Sequence, residues 1–145
     1  MIRLFFIVCV FILVSGCTEV EVPDNAVTLD VNFEWTKESG CSSVSPPITV
    51  TNIPKETKYL KVSMKDLDFM NMDHGGCEVP YAGLNTISEG ALSTYIGPCP
   101  EGTHSYEITV QALSADKKLI LGHGKAVRKY PAGNATAIYP KLKAP

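Results

Sequence analysis

The chain gathers ionisable side chains in one short stretch, DLDFMNMDHGG at residues 66–76. Asp66 and Asp68 are two residues apart, and Asp73 directly precedes His74 and a glycine pair. A carboxylate can orient a histidine ring by accepting its N–H, and a protonated imidazole can bind an anion. The stretch therefore indicates either one wall of a binding site or carboxylates that cap turns at the end of a sheet.

A second polar stretch, YIGPCPEGTHSYEITV at residues 95–110, contains another candidate histidine. A loop rich in glycine and proline leads into His104 and Tyr106, which stand where an alternating strand pattern begins. Asp66 stands at the end of a different alternating pattern, on the side that carries its apolar residues. An inward carboxylate is costly unless it is hydrogen-bonded or faces a cavity, so either feature is expected at Asp66.

The elements that must position these side chains are predicted to be strands. Three segments alternate between apolar and polar residues, which is the pattern of a strand with one face in a core. HGG and several Pro-rich or Gly-rich stretches are read as turns, GLNTISEGALS is read as a loop, and no segment of helical period is long enough to form a layer. The predicted fold class is all-β, an antiparallel β-sandwich with little helix. The alternating segments are VTLDVNFEW at 27–35, KYLKVSMKD at 58–66 and SYEITVQAL at 105–113, the last returning as a hairpin through LILGHGKAVRKY at 119–130.

The start of the chain has the pattern of a secretory signal peptide. Residues 1–16 have one positive residue, Arg3, then an apolar run, and they end on small residues. The run is shorter than the roughly 20 residues that a transmembrane helix needs. Cys17 follows directly, and LVSGC resembles a bacterial lipobox, in which lipid is attached to the cysteine.

We therefore predict removal of residues 1–16, lipid attachment at Cys17 and a polar tether over 17–25. Thr18 after the cysteine favours the outer membrane of a bacterial cell envelope over the inner one. The alternative is an ordinary cysteine just after an ordinary signal-peptidase site. The rest of the chain suffices for one β domain, predicted at residues 26–131, with an irregular tail at 132–145.

Charge and cysteine content limit the partners further. The net charge is −2 and no basic block is present, so nucleic acid is not an expected partner. Of the cysteines outside the leader and the lipobox, Cys41, Cys77 and Cys99, two are expected to form a disulfide and one to remain free. No CxxC is present to support structural zinc.

Taken together, these motifs resemble the signature of the phosphatidylethanolamine-binding protein (PEBP) family, also called Raf-kinase-inhibitor-like proteins. GPCPEGTHSY is similar to the family's GPxPPxGxHxY, and SPPITVTNIPKETKYLKVSMKDLD is similar to its S-P-P, V-P-x-G-T-K-x-L and D-x-D segments. Met70, Gly75 and Glu101 depart from the family pattern, which suggests a compact bacterial lipoprotein branch. The matching positions are Asp66 and Asp68 for the paired aspartates, His74 for the first histidine, Gly97 and Pro98 for the loop, and His104 and Tyr106 for the last pair.

The resemblance implies a β-sandwich with a surface pocket for phosphate or the phosphoryl head group of a lipid. His74, His104 and the backbone N–H groups of Gly75, Gly76 and Gly97 are the expected donors to the anion. The aspartates would orient the histidines or bind a cationic ethanolamine amine. The resemblance also brings Cys41 and Cys99 close together, which implies a bridge between them and leaves Cys77 free.

Other classes of function have weaker support. No G-x-S-x-G or similar nucleophile motif is present, so we predict that the protein is not an enzyme and needs no cofactor. Asp73, His74, Cys77, His104 and His123 are raw material for a metal site, which is the less favoured alternative. Another alternative is an interaction or structural envelope lipoprotein whose pocket is vestigial.

Overall fold

The computed structural model describes residues 21–132 of the chain. The predicted leader, Cys17 and all but the first residue of the predicted tail lie outside this range. Within it there are eight strands and no helix, and therefore no helix that could cross a membrane. The strands are β1 (Val27–Thr28), β2 (Asp30–Phe33), β3 (Ile48–Thr51), β4 (Tyr59–Asp66), β5 (Met72–Pro80), β6 (Thr86–Ile87), β7 (His104–Leu113) and β8 (Ile120–Tyr130).

The strands form two sheets that face each other across one apolar core. The larger sheet has the order β1-β8-β7-β4-β5, and the smaller has the order β2-β3-β6. Only the β1–β8 pair of residues 21–132 is parallel, and the other pairs are antiparallel. The prediction of an all-β sandwich is confirmed, as is the β7–β8 hairpin.

Alternation of residue type places the core as predicted in the long strands. Leu60, Val62 and Met64 of β4 are at most 2% exposed, and the inward residues of β7 are at most 1% exposed. Trp35 packs edge-on against Phe33, Tyr106 and Tyr130, with ring centroids 5.0, 5.8 and 5.3 Å away. Burial of such side chains stabilises the fold by about 1.5–3 kcal/mol each.

The prediction of one strand over residues 27–35 is wrong, because the chain changes sheets at Leu29. Its N–H donates to the carbonyl of His123 at 3.0 Å, after β1 and before β2. A Cβ atom at Gly124 would lie 2.3 Å from the Leu29 carbonyl oxygen, so glycine in β8 leaves room for the crossing. Alternation of residue type continues through the crossing, and Leu29, Phe33 and Trp35 are buried in the one core, whereas Val27 of β1 is exposed.

The reading of HGG as a turn is also wrong, because residues 74–76 lie inside β5. The register with β4 shifts between Ser63 and Lys65, so the strand has a bulge there. Gly75 and Gly76 have φ values of 76° and 144°, which favour glycine. The predicted loop at 83–93 likewise contains the short strand β6.

Replacing Gly76 by alanine should destabilise the fold strongly. The added Cβ would lie 2.0 Å from the Val62 carbonyl oxygen and 2.9 Å from the Ser63 Cα, both of which belong to the backbone of β4. We expect a loss of about 3 kcal/mol or more in the free energy of unfolding, measured by urea denaturation. Gly102→Ala is the matched control, because its Cβ position has no atom within 4 Å. Equal stability of the two variants would contradict the bulge geometry.

Candidate functional site

The candidate residues meet where β4 ends, β7 begins and β5 carries its bulge. Asp66 is the last residue of β4 and pairs with Tyr106 of β7 on one side and Met72 of β5 on the other. His104 is the first residue of β7, and His74 follows Met72 by two residues in β5. Antiparallel pairing thus brings together side chains that are up to 40 positions apart in sequence.

Asp66 is the buried anchor of the site. It is 3% exposed, and its Oδ2 accepts a hydrogen bond from Nδ1 of His104 at 2.6 Å. Its Oδ1 accepts the backbone N–H groups of Asp68 at 2.9 Å and Phe69 at 3.1 Å. Burial alone would raise the pKa of Asp66, but the bonds from His104, Asp68 and Tyr106 outweigh it and hold that pKa below its ordinary value of 3.8.

This lowered pKa predicts an acid-dependent stability. Because the pKa of Asp66 is lower in the folded state than the ordinary 3.8, the charged carboxylate stabilises the fold above that pH. The contribution is lost as pH falls from 3.8 through the folded-state pKa. Asp66→Asn should therefore flatten the fall in unfolding free energy between about pH 5 and pH 2.5, measured by urea denaturation. Asp24→Asn, at an exposed carboxylate, should keep the wild-type slope; an unchanged slope in Asp66→Asn would refute the assignment.

His74 is buried against the loop that precedes the disulfide. It is 5% exposed, and its Nδ1 lies 2.7 Å from the Ile96 carbonyl oxygen, which can only accept, so Nδ1 carries the proton. The Ile96 N–H donates in return to the His74 carbonyl at 2.9 Å. This pair of bonds fixes the imidazole and joins the loop to β5.

Tyr106 lies between the two imidazoles. Its ring centroid is 5.1 Å from that of His74, in an edge-on arrangement, and 6.3 Å from that of His104, nearly stacked. Burial, followed by the charge of Asp66, raises the pKa of Tyr106 well above its ordinary range, so the phenol stays neutral. Within residues 21–132, both histidines make their hydrogen bonds through Nδ1. The cluster of Asp66, His74, His104 and Tyr106, called the histidine cluster below, thus has Nε2 of each ring outside these hydrogen bonds.

Asp68 does not continue the inward series, because β4 ends at Asp66. Its side chain is exposed, and Oδ2 accepts the Ser105 N–H at 2.6 Å, which lowers the pKa of the carboxyl. The bond joins the start of β7 to the loop after β4. Asp68 therefore lies at the exposed edge of the site and holds the start of β7 in place through this bond.

The three glycine N–H groups expected to face an anion are engaged within the protein. Gly75 N–H donates to Asp73 Oδ1 at 2.9 Å, Gly76 N–H to Thr94 Oγ1 at 3.1 Å, and Gly97 N–H to the Ser42 carbonyl at 2.8 Å. That expectation is corrected, because these glycines serve close chain packing instead.

Gly97 and Pro98 are buried supports of the loop and offer no surface to a ligand. A Cβ at Gly97 would lie 2.4 Å from the Ser39 carbonyl oxygen, so only glycine allows this approach. The Pro98 carbonyl accepts the Cys41 N–H at 2.8 Å. The loop is therefore packed directly on residues 39–42.

The disulfide joins Cys41 to Cys99, the pair that the resemblance implied, and Cys77 is a free, half-buried thiol. The bridge spans 58 positions and ties the loop at 96–99 to the loop at 39–42. Because the Ile96 carbonyl orients His74, the disulfide stabilises the loop that positions this histidine.

Two further supports of the site have no recognisable signal in the sequence. The Ile96 carbonyl acts through the backbone, which any residue type provides. The Thr94 hydroxyl bonds both the N–H and the carbonyl of Gly76, and nothing in its sequence surroundings distinguishes it. Trp35 could have been suspected from its inward position, and it packs behind Tyr106.

The candidate metal ligands do not come together in residues 21–132. Residues 21–132 contain no group of three or more His, Cys, Asp or Glu side chains placed to hold a metal ion. His123 pairs with Gln111, whereas His104 pairs with Tyr130, so these histidines are seven positions apart along β7. His104 and His123, two of the candidate ligands, therefore do not belong to one site.

A separate apolar groove of about 180 Å³ lies toward the other end of β4. None of the predicted site residues lines it. Its walls come from β4, β5 and the segment around β6, and they include Leu60, Val79, Pro80, Tyr81, Leu84 and Ile87.

The fold is that of the phosphatidylethanolamine-binding proteins, as two solved structures show. A PEBP homologue from Chlamydia trachomatis matches with a TM-score of 0.56 at 19% identity, over 75% of this chain and 99% of that one. Escherichia coli YbcL, described as a new member of the mammalian PEBP family, matches with a TM-score of 0.55 at 15% identity, over 72% of this chain and 99% of its own. No protein-family model and no curated protein sequence matches the chain. The predicted PEBP-like fold is confirmed, while the ligand must be argued from the site.

Proposed function

We propose that this chain is a non-catalytic lipoprotein of the bacterial cell envelope that binds a small anion or a phosphoryl head group at the histidine cluster. One observation carries the proposal: His74 and His104 each use Nδ1 in a bond within the protein, and these bonds leave Nε2 of both rings for a ligand to engage. Two imidazoles held around one neutral phenol are suited to phosphate oxygens, because each can donate a charge-assisted hydrogen bond when protonated.

The charge of Asp66 supports this role without repelling the ligand. Both carboxylate oxygens are occupied, one by His104 and the other by backbone N–H groups. A protonated His104 neutralises Asp66 locally and still directs a second N–H away from it. An anion at the cluster would then contact the N–H groups of the histidines, because both oxygens of the Asp66 carboxylate already accept hydrogen bonds within the protein.

Exposed carboxylates at the rim favour a ligand that also carries a positive group. Asp68 and Asp73 are both exposed, and each uses one oxygen in a bond to a backbone N–H. A phosphoethanolamine head group carries an ammonium that suits such carboxylates. We therefore rank it above inorganic phosphate as the ligand class.

The fold and the chain start are consistent with this proposal. Of the solved structures that share the fold, one is described as a homologue of a phosphatidylethanolamine-binding protein and the other as a member of the PEBP family. The lipobox-like LVSGC supports anchoring through Cys17, at the periplasmic face of the outer membrane. No protein partner is proposed.

Calorimetric titration of the full chain with phosphate, phosphoethanolamine and ethanolamine tests the ligand class. We expect phosphoethanolamine to bind most tightly, phosphate more weakly and ethanolamine weakest, since only the first engages both charges. Binding of ethanolamine alone, or of none of the three up to millimolar concentration, would overturn the proposal and favour an envelope protein with a vestigial pocket.

A further inference from the structure

Apolar side chains project from the hairpin loop beside the histidine cluster. Met70 is 91% exposed, Phe69 54%, Met72 44% and Leu67 39%. These four residues, called the apolar tip below, lie within the six positions from Leu67, which follows β4, to Met72, the first residue of β5. Exposed apolar side chains concentrated in this way mark a contact surface rather than chance exposure.

The apolar tip is held in place by the site itself. Asp66 Oδ1 accepts the Phe69 N–H at 3.1 Å, and the Phe69 carbonyl accepts the Met72 N–H at 2.9 Å. The same Asp66 side chain binds His104 through its other oxygen. The tip and the histidine cluster are therefore joined through one carboxylate.

The turn at the tip uses a residue type that its backbone disfavours. Met70 and Asn71 both have φ of 51°, the left-handed region that hairpin turns usually fill with Asn-Gly. Methionine gains no packing within residues 21–132 in return, since it is almost fully exposed. Backbone strain combined with an outward apolar side chain indicates a contact outside this part of the chain.

The charges around the apolar tip indicate what kind of partner surface it would contact. Residues 66–73 contain two exposed aspartates, Asp68 and Asp73, and no lysine or arginine, so an anionic lipid surface is disfavoured and the ammonium groups of zwitterionic lipids are favoured. Ile96, whose N–H donates to the His74 carbonyl, adds a further exposed apolar side chain next to the cluster, at 53% exposure. Phenylalanine, leucine and methionine are suited to the boundary between head groups and acyl chains.

We propose that the apolar tip inserts into the interface of a zwitterionic lipid surface, which brings the histidine cluster to the level of the head groups. This inference rests on the proposed function and identifies the ligand as a head group bound within a lipid surface. Interfacial segments insert about 5–10 Å into the boundary between head groups and acyl chains, and Asp66 connects the tip to the cluster through its bonds to Phe69 and His104.

A tryptophan reporter at the tip tests the insertion in the full chain. Phe69→Trp is mixed with vesicles of phosphatidylethanolamine and brominated phosphatidylcholine, and the spectrum of the wild type is subtracted, since Trp35 is 4% exposed. We expect a blue-shifted emission and at least a twofold quench by the brominated lipid. Thr49→Trp, on an exposed position of β3, is the matched control and should keep its aqueous spectrum. Vesicles with a majority of phosphatidylglycerol should quench the tip less.

The local reporter separates tip insertion from any attachment through the start of the chain. An aqueous spectrum for Phe69→Trp on every vesicle overturns the inference and directs attention to a protein partner. If the tip inserts but wild-type protein fails to bind soluble phosphoethanolamine, the proposed function falls while lipid contact by the tip stands. If the wild-type protein binds soluble phosphoethanolamine but Phe69→Trp keeps an aqueous spectrum, the proposed head-group site is supported and only the insertion of the tip is refuted.

Discussion

We expect His104→Ala to weaken binding of phosphate and phosphoethanolamine by about tenfold to a hundredfold. The variant removes one charge-assisted hydrogen bond, which contributes about 1.5–3 kcal/mol when the partner is charged. It also removes the imidazole that neutralises the buried Asp66 carboxylate and so leaves an uncompensated negative charge within the site. Both effects disfavour the binding of an anion, so calorimetric titration should show a loss of affinity for phosphate and for phosphoethanolamine.

The control for this variant is His123→Ala. His123 pairs with Gln111 in the β7–β8 hairpin and is far from the cluster along the strand. Its replacement should leave affinity unchanged. His104→Gln serves as a second variant, because its amide can still donate to Asp66 and preserve the fold. Wild-type affinity in both His104 variants would contradict the assignment of the site.

The second large effect is expected on stability. Cys99→Ser opens the bridge to Cys41, which spans 58 positions. On the chain-entropy estimate, opening a bridge over this span lowers the free energy of unfolding by about 4 kcal/mol. This is a large loss, because typical domains have a free energy of unfolding of about 5–15 kcal/mol. Urea denaturation under non-reducing conditions measures this loss. Cys77→Ser should cost far less, since that thiol is free and only half-buried.

The same variant should also affect the site. The bridge holds the loop whose Ile96 carbonyl orients His74, so its loss should weaken anion binding at temperatures where the protein remains folded. Cys99→Ser with both wild-type stability and wild-type affinity would show that the bridge supports neither the fold nor the loop.

Much of the fold was predictable because alternation reports which side of a strand faces the core. The inward series of β4 and β7 and the hairpin to β8 follow from that pattern alone. The burial of Asp66 was predictable for the same reason, since it continues the inward side of β4 to its last residue. A hydrogen-bond partner was one of the two features that this burial implied, and that partner is His104.

The remaining features depend on information that alternation does not carry. The crossing at Leu29 leaves the pattern intact, because both sheets face one core. Gly75 and Gly76 could signal a turn or a bulge, and only pairing with β4 decides between them. Backbone partners such as the Ile96 carbonyl have no sequence signature, so the orientation of His74 could not be predicted.

The most direct test of the central claim is an NMR titration of the protein with phosphoethanolamine, following the ring signals of all three histidines. We expect the His74 and His104 signals to shift together and saturate while the His123 signal stays constant, because His123 is remote from the cluster. Absence of any shift at His74 and His104 up to millimolar ligand, or equal shifts at all three histidines, would contradict it.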